Sequence, residues 1–415
     1  MEWIRSVLLV FVWSCGMPAA LAADALRLEE AVSRALAAHP AVTAETAQLQ
    51  AVRARTQREA LPPPYIIGAE VENIAGSGTM RGTREAETTL RIGRTIELGG
   101  KRKARQTLGQ AEIREQEHQI TKTRVDLASA TTARFIEVLA RQQRLVYAEE
   151  RMEQAQRIRE VVAAWVKAAR NPESDLQAAE IALAEAQLDR ESAARQLASA
   201  RMALVSSWGG LSPDFGEVVG DLHTLPAVAP FEALAARLPM TPERWTARLR
   251  AETLAARRRL AQADAKPNID VSLGVRRLEA TKDHAVVASI AVPFGGPTRS
   301  RYAASQANAE LAALEARREA ERFERHQALF DKYQELTNAR TEAESLRARM
   351  MPLAEGALAT THRGFEQGRF SYLSLAQAQR TLFELRSRAV AAATRYHLLL
   401  VEVERLTATD EEHAP

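Results

Sequence analysis

The sequence predicts a mainly α-helical protein with a small β part, laid out as two copies of one plan. Three observations carry this. Helix-breaking residues are missing from several very long stretches, four runs of about ten residues alternate apolar with polar side chains, and the order of these parts in the first half returns in the second. The composition agrees: among 415 residues, Lys plus Arg is 56 and Asp plus Glu is 53, so charge is nearly balanced. Aromatic residues make up only 5%, too few for base stacking, and nucleic acid is set aside as a partner. The single cysteine, Cys15, excludes a disulfide framework and a cysteine-based zinc site.

The duplication can be followed element by element. HPAVTAETAQLQ (39–50) matches TPERWTARLRAE (241–252), each with proline at a first helical position. LPPPYIIGAEV (61–71) matches AKPNIDVSLGV (265–275). NPESDLQAAEIALAEAQL (171–188) matches GRFSYLSLAQAQRTLFEL (368–385), with Leu176 falling on Leu373, Ala179 on Ala376 and Leu188 on Leu385. The expected first repeat is 24–208 and the second 241–407. Between them 209–240, rich in Gly and Pro, is expected as a linker or equatorial segment, and 408–415 as a polar tail.

Strands are expected at about 64–74, 85–98, 268–279 and 284–294. In 85–98 the even positions include Leu90, Ile92, Ile96 and Leu98, while the odd ones include Glu85, Glu87, Thr89, Arg91 and Glu97. Ile269, Val271, Leu273 and Val275 alternate with Asp270, Ser272, Gly274 and Arg276. A period of two gives each strand one apolar and one polar face. Two soluble hairpins packed on helices would satisfy this pattern. So would barrel strands, because ~9–11 residues cross a bilayer when tilted. Four strands cannot close a barrel, the smallest having about eight, so membrane strands would have to be shared among several copies.

Long helices are expected over about 101–168, 172–208, 298–364 and 369–407. No Gly or Pro occurs from Gln110 to Asn171. At ~1.5 Å per residue the helix over 101–168 is on the order of 100 Å long, which no compact domain accommodates. After Pro172, Leu176, Ala179, Leu183, Ala186, Ala193, Leu197, Ala200 and Leu204 recur at three- and four-residue steps, interrupted by Arg190. That is a seam for close helix packing.

TIELGGKRKAR (95–105) and AVPFGGPTRSR (291–301) mark where a strand gives way to a long helix. Gly99, Gly100, Gly295 and Gly296 are expected to supply the backbone freedom for that turn. The basic run Lys101, Arg102, Lys103 and Arg105 opposes the helix dipole. Two readings fit it: a solvated face, or contacts to lipid phosphates at the membrane rim. It is no phosphate loop, because Thr95 stands where glycine is required and Arg102 where Ser or Thr is required.

At the start of the chain, Arg5, the apolar run VLLVFVW and the small residues AALAADA read as a secretory signal peptide over 1–23, cleaved after Ala22 or Ala23. In a rival reading VWSC (12–15) is a lipoprotein box that acylates Cys15, against which the bulk of Trp13 speaks.

This order of parts resembles the TolC-like outer-membrane factors of bacterial export systems. ELGGKR within 95–105 is similar to the CzcC-type cation-efflux branch, and GRFSYLSLAQAQRTL (368–382) is similar to the motif opening the family's last long helix. The resemblance spans roughly 25–407. It implies a homotrimer in the outer membrane, each protomer giving four strands to a shared β-barrel, with the long-helix hairpins forming an α-barrel across the periplasm. It implies a passive exit duct, docked through a periplasmic adaptor onto an inner-membrane, proton-driven pump of the RND type. No enzymatic activity and no cofactor are expected; no nucleophile motif or nucleotide loop is found. The eight histidines are scattered, and His284 and Met80 are expected in outer loops, so no metal site is assigned.

The family's duct closes at its periplasmic tip, expected here at 167–175 and 364–373. The acidic residues common six and nine positions after the glycine matching Gly368 are replaced by Ser374 and Gln377. The first repeat is the more acidic, with Glu173, Asp175 and Glu180, the last matched to Gln377. These five residues are the gate candidates; an acidic helix start favoured by the dipole is the alternative for the acids. Asn171, Gly364, Gly368 and Ser371 are the adaptor-contact candidates. Cargo stays open between metal cations, which ELGGKR favours by resemblance, and drugs or other small solutes. A soluble periplasmic coiled-coil scaffold is the rival from another class.

Overall fold

A computed structural model describes residues 25–409 apart from Phe294; the leader with Cys15 lies outside the described residues. In the first repeat, α1 (Leu28–Ala38) and α2 (Pro40–Glu59) lead to β1 (Tyr65–Glu72) and β2 (Glu87–Ile96). Then come α3 (Lys101–Lys167) and α4 (Glu173–Val205). In the second, α5 (Phe231–Ala235) and α6 (Pro242–Ala263) lead to β3 (Ile269–Leu278) and β4 (His284–Ala291). These are followed by α7 (Gly296–Ser345), a π-helical segment (Leu346–Met350), α8 (Met351–Glu366) and α9 (Tyr372–Thr407). The helix expected to run unbroken over 298–364 is thus interrupted. Pro352 has no N–H for the carbonyl one turn back, and its ring crowds that turn, which the wider π-turn before it accommodates.

The four strands form one antiparallel sheet in the order β1-β2-β3-β4. Its inner pair joins the two repeats, and among the described residues β1 and β4 are left as open edges. The rods lie side by side: α3 packs along α2, α4, α6 and α9, and α7 packs along α6 and α9. In α4, Ala179, Ala186 and Leu204 are buried, with Leu176, Leu183 and Leu197 half-buried between them, while Arg190 turns out to pair with Glu149 at 3.6 Å. Small side chains in the seam let the helices approach closely.

The segment between the repeats is a belt, held by its own backbone carbonyls. Arg201 donates to the carbonyls of Phe215 and Gly216, Gln142 to Val218 (3.1 Å), His397 to Leu222 (3.0 Å), Arg347 to His223 (2.9 Å) and Tyr396 to Pro226. Leu26 adds a short parallel bridge to Val218, and both are buried with Phe135, Val138 and Leu204. The segment between the repeats is thus strapped across α3, α4 and α9.

Candidate functional site

The sheet presents two unlike faces. Register places Ile67 beside Ile92 beside Leu273, Ala69 beside Leu90 beside Val275, and Val275 beside Val286. All these positions share one face, and it is bare: Ile67 is 82% exposed, Val286 75% and Ile290 75%. An apolar face this continuous on a lone sheet needs a non-aqueous neighbour. Arg94 lies on the same face at the helix-proximal end, its guanidinium 4.8 Å from the Tyr65 ring and donating to the Tyr65 hydroxyl. Such a polar-tipped aromatic suits a membrane boundary.

The opposite face is polar and cross-linked. Arg276 on β3 donates through Nε to Thr89 Oγ1 (2.9 Å), through Nη1 to Glu87 Oε2 (2.5 Å) and through Nη2 to Glu72 Oε2 (2.8 Å), so one side chain staples three strands. Arg91 pairs with Glu70 at 3.2 Å, and Thr95 bonds Asp270. The alternation was readable in the sequence. The staple was not, because the sequence does not say which strands are neighbours.

At the strand-to-helix junctions, Gly99 (φ +81°), Gly100 (+71°) and Gly295 (+99°) are left-handed, as glycine permits. Gly296 corrects the expectation: it is already the first residue of α7, with no positive φ. The basic run is also settled by geometry, for three of its four residues, in favour of neither reading. Arg102 Nε donates to the Ala60 carbonyl (2.6 Å) and Arg105 Nε to that of Glu59 (2.7 Å), at the C-terminus of α2. Arg105 also grips Glu97 with both terminal nitrogens, and Lys101 is buried on Asn268 (2.6 Å). Cations that oppose the dipole of α3 thus complement that of α2, each worth ~0.3–1 kcal/mol. Met80 lies in the short 3₁₀ turn between β1 and β2, and His284 opens β4 opposite Arg277.

At the far end of the rods the two hairpins reverse by the same turn. Arg170 N bonds the Trp165 carbonyl and Ala169 N that of Val166; Arg369 N bonds the Gly364 carbonyl and Gly368 N that of Phe365. This is a Schellman closure, with Ala169 (φ +57°) and Gly368 (+69°) at the left-handed position. A side chain at Gly364 would strike the Phe370 ring, since a Cβ there would stand 2.0 Å from it. Trp165, Phe365, Ile158, Val162, Tyr372 and Leu375 bind the hairpins together, with the Trp165 and Phe365 rings 4.6 Å apart. Burial, with the Asp175 and Glu185 carboxylates behind it, raises the Tyr372 phenol and keeps it neutral.

The candidate gate residues gather at this end but differ in setting. Glu173 is exposed in the first turn of α4. Asp175 accepts from Asn171 Nδ2 (2.8 Å), and Glu180 pairs with Arg159 (3.0 Å). Ser371 caps α9, its Oγ accepting from Ser374 N (3.3 Å). Gln377 is exposed. Pro172 and Ser371 are the equivalent N-caps, two places out of the register that Leu176 and Leu373 suggested. Asp175 therefore matches Ser374, and Glu180 matches Gln379, not Gln377. Among the described residues no group of three or more His, Cys, Asp or Glu could hold a metal ion, and no helix is long and apolar enough to cross a membrane.

One sheet with a bare apolar face and a polar face, carried on rods of this length in a twice-repeated plan, is the fold of the TolC-like outer-membrane channels. No protein-family profile matches the chain. In sequence it is similar to the cobalt-zinc-cadmium resistance protein CzcC of Cupriavidus metallidurans. The two are 29% identical over 388 residues, which is 93% of this chain and 90% of that one. In structure it is similar to CusC, with a TM-score of 0.74 at 16% identity over 92% of each chain. It is likewise similar to the outer-membrane channel OprN, with a TM-score of 0.74 at 18% identity over 92% of this chain and 90% of that one. The resemblance drawn from ELGGKR and the order of parts thus extends along nearly the whole described chain.

Proposed function

We propose that this protein is the outer-membrane duct of a tripartite efflux system and that its cargo is metal cations. The carrying observation is the open sheet: one face bare and apolar, the other polar and internally paired, and, among the described residues, both edge strands without neighbours. A span needs every backbone group paired, which closure supplies. Three copies, joined β4 to β1, would make a twelve-stranded barrel, and α7 and α4 of adjacent copies would complete the helical wall below it. An adaptor would meet the tip turns around Asn171, Gly364, Gly368 and Ser371, linking the duct to an RND-type pump. The likeness to CzcC supports cations over drugs.

Within this reading Glu173, Asp175 and Glu180, repeated threefold, give the tip a negative field that draws cations. The test is conductance in planar bilayers. Asp175→Asn with Glu180→Gln is expected to lower the cation-to-anion permeability ratio and weaken block by divalent ions. If both are unchanged, the carboxylates serve only as helix-start and ion-pair residues. A chain that leaves the membrane in carbonate would overturn the duct itself and favour the scaffold.

A further inference from the structure

The bare face of the sheet is ordered in rows that run across its four strands. The first row that all four share at the helix end holds Tyr65, Arg94, Val271 and Ile290, and the last, at the far end, holds Val71, Thr88, Arg277 and His284. The two rows between, which contain Ile92 and Leu90, are wholly apolar. The outer rows lie ~20 Å apart along the strands. That is close to the ~25 Å apolar band of a membrane barrel, because an arginine reaches beyond its own row. Each end of the bare face thus carries an arginine at the level of a headgroup region.

The two arginines are satisfied differently. Arg277 pairs with Glu279 at 3.0 Å. Among the described residues no carboxylate pairs with Arg94, whose contacts are the Tyr65 hydroxyl, accepting from Nη1 at 3.2 Å, and the Tyr65 ring. Its neighbours along the same face of β2 are Ile92 and Ile96, both exposed. Glu97, three residues on, is already held by both terminal nitrogens of Arg105. A cation over an apolar face is costly in a bilayer unless an anion meets it. The guanidinium is a planar fork of five N–H donors, of which Tyr65 takes one. The tyrosine holds the fork in place, and its hydroxyl, while accepting from Arg94, keeps its own hydrogen to donate. Two parallel N–H groups match two oxygens of a phosphate.

We propose that Arg94 and Tyr65 bind the phosphate of an anionic phospholipid in the leaflet nearest the helices, one lipid per chain, with its acyl chains lying along the two wholly apolar rows. A headgroup of net negative charge is preferred to a zwitterionic one, because the zwitterion brings its own cation to the phosphate. Joining β4 to β1 pairs the sheets edge to edge and leaves this face outward, so assembly does not cover the site. The lipid contact that Lys101, Arg102 and Arg105 do not make thus falls to a residue on the strand. The proposal rests on the reading that places the sheet in a membrane.

Native mass spectrometry of the full-length, detergent-extracted and delipidated protein tests this, with phosphatidylglycerol and phosphatidylcholine as probes. The unaltered protein should retain phosphatidylglycerol about tenfold better than phosphatidylcholine. Arg94→Gln should abolish that preference, and Tyr65→Phe should weaken retention of phosphatidylglycerol about threefold. Arg91→Gln, on the polar face of the same strand, should change neither, and excess inorganic phosphate should not displace the lipid. Equal retention of the two lipids, an equal loss in Arg91→Gln, or displacement by inorganic phosphate overturns the site. Should Arg94→Gln fail to assemble, Tyr65→Phe decides, and unchanged retention in it overturns the site. A chain that retains neither lipid and leaves the membrane in carbonate overturns the membrane reading and the site together. A chain that stays in the membrane without the preference overturns the site alone.

Discussion

Replacing Gly99 by alanine adds one carbon where two costs coincide. The residue sits at φ +81°, so a Cβ incurs ~1–3 kcal/mol of backbone strain. That carbon would also stand 2.8 Å from the Ala263 carbonyl oxygen and 3.0 Å from Lys266 Cβ, adding an overpacking cost of ~1–3 kcal/mol. The sum is about 2–6 kcal/mol at the point where β2 hands over to α3. Gly100 and Gly295 are also left-handed but face open space, so alanine there costs the backbone part alone, ~1–3 kcal/mol. At Gly296 the φ is not positive and the new carbon would lie 3.3 Å from the Ala265 carbonyl. The ~1 kcal/mol advantage of alanine over glycine in a helix offsets that contact. The four alanine variants should therefore rank in heat resistance of the assembled species on mild-detergent gels, Gly99 worst, Gly100 and Gly295 intermediate, Gly296 close to unaltered. Equal damage at Gly99 and Gly296, or none at Gly99, would refute the account of the junction.

Ala169→Gly should stabilise the first tip turn by about 1 kcal/mol, because alanine there holds the left-handed position that Gly368 fills in the second; slower hydrogen exchange over 165–171 is the readout. The belt should loosen in acid through His397, whose pKa is lowered chiefly by burial, with the nearby His223 adding to the effect and the Leu222 carbonyl and Asp221 opposing it. Its folded pKa lies below the unfolded value of about 6.5, so stability is full above that pH and falls as pH drops towards the folded value. Protection of the 218–223 amides, followed against pH, should show this slope, and His397→Gln should flatten it.

Much of the architecture was legible because it rests on periodicity. Alternation at 85–98 and 268–277 fixed which residues share a sheet face, and the absence of Gly and Pro fixed the rods. What escaped notice depends on long-range neighbours. Arg102 and Arg105 looked misplaced at a helix start until the C-terminus of α2 was found against them. Arg276 looked like any polar-face residue until three strands were in register. The break before Pro352 had a local signal, a proline inside a helical run, which the two-copy pattern concealed. At the tip, matching leucines suggested one register and the N-caps Pro172 and Ser371 impose another, since a heptad seam tolerates slippage that a capped turn does not.

The unpaired edges of β1 and β4 have a genetic consequence. If a ring closes only when every β4 finds the β1 of another chain, a protein with one ruined edge still joins rings and leaves them open. In a cell making ruined and intact chains in equal amounts, only about one-eighth of three-chain rings would contain none of the ruined kind. Lesions confined to either edge strand should therefore be dominant over a normal copy. Lesions that stop the chain from reaching the membrane should be recessive.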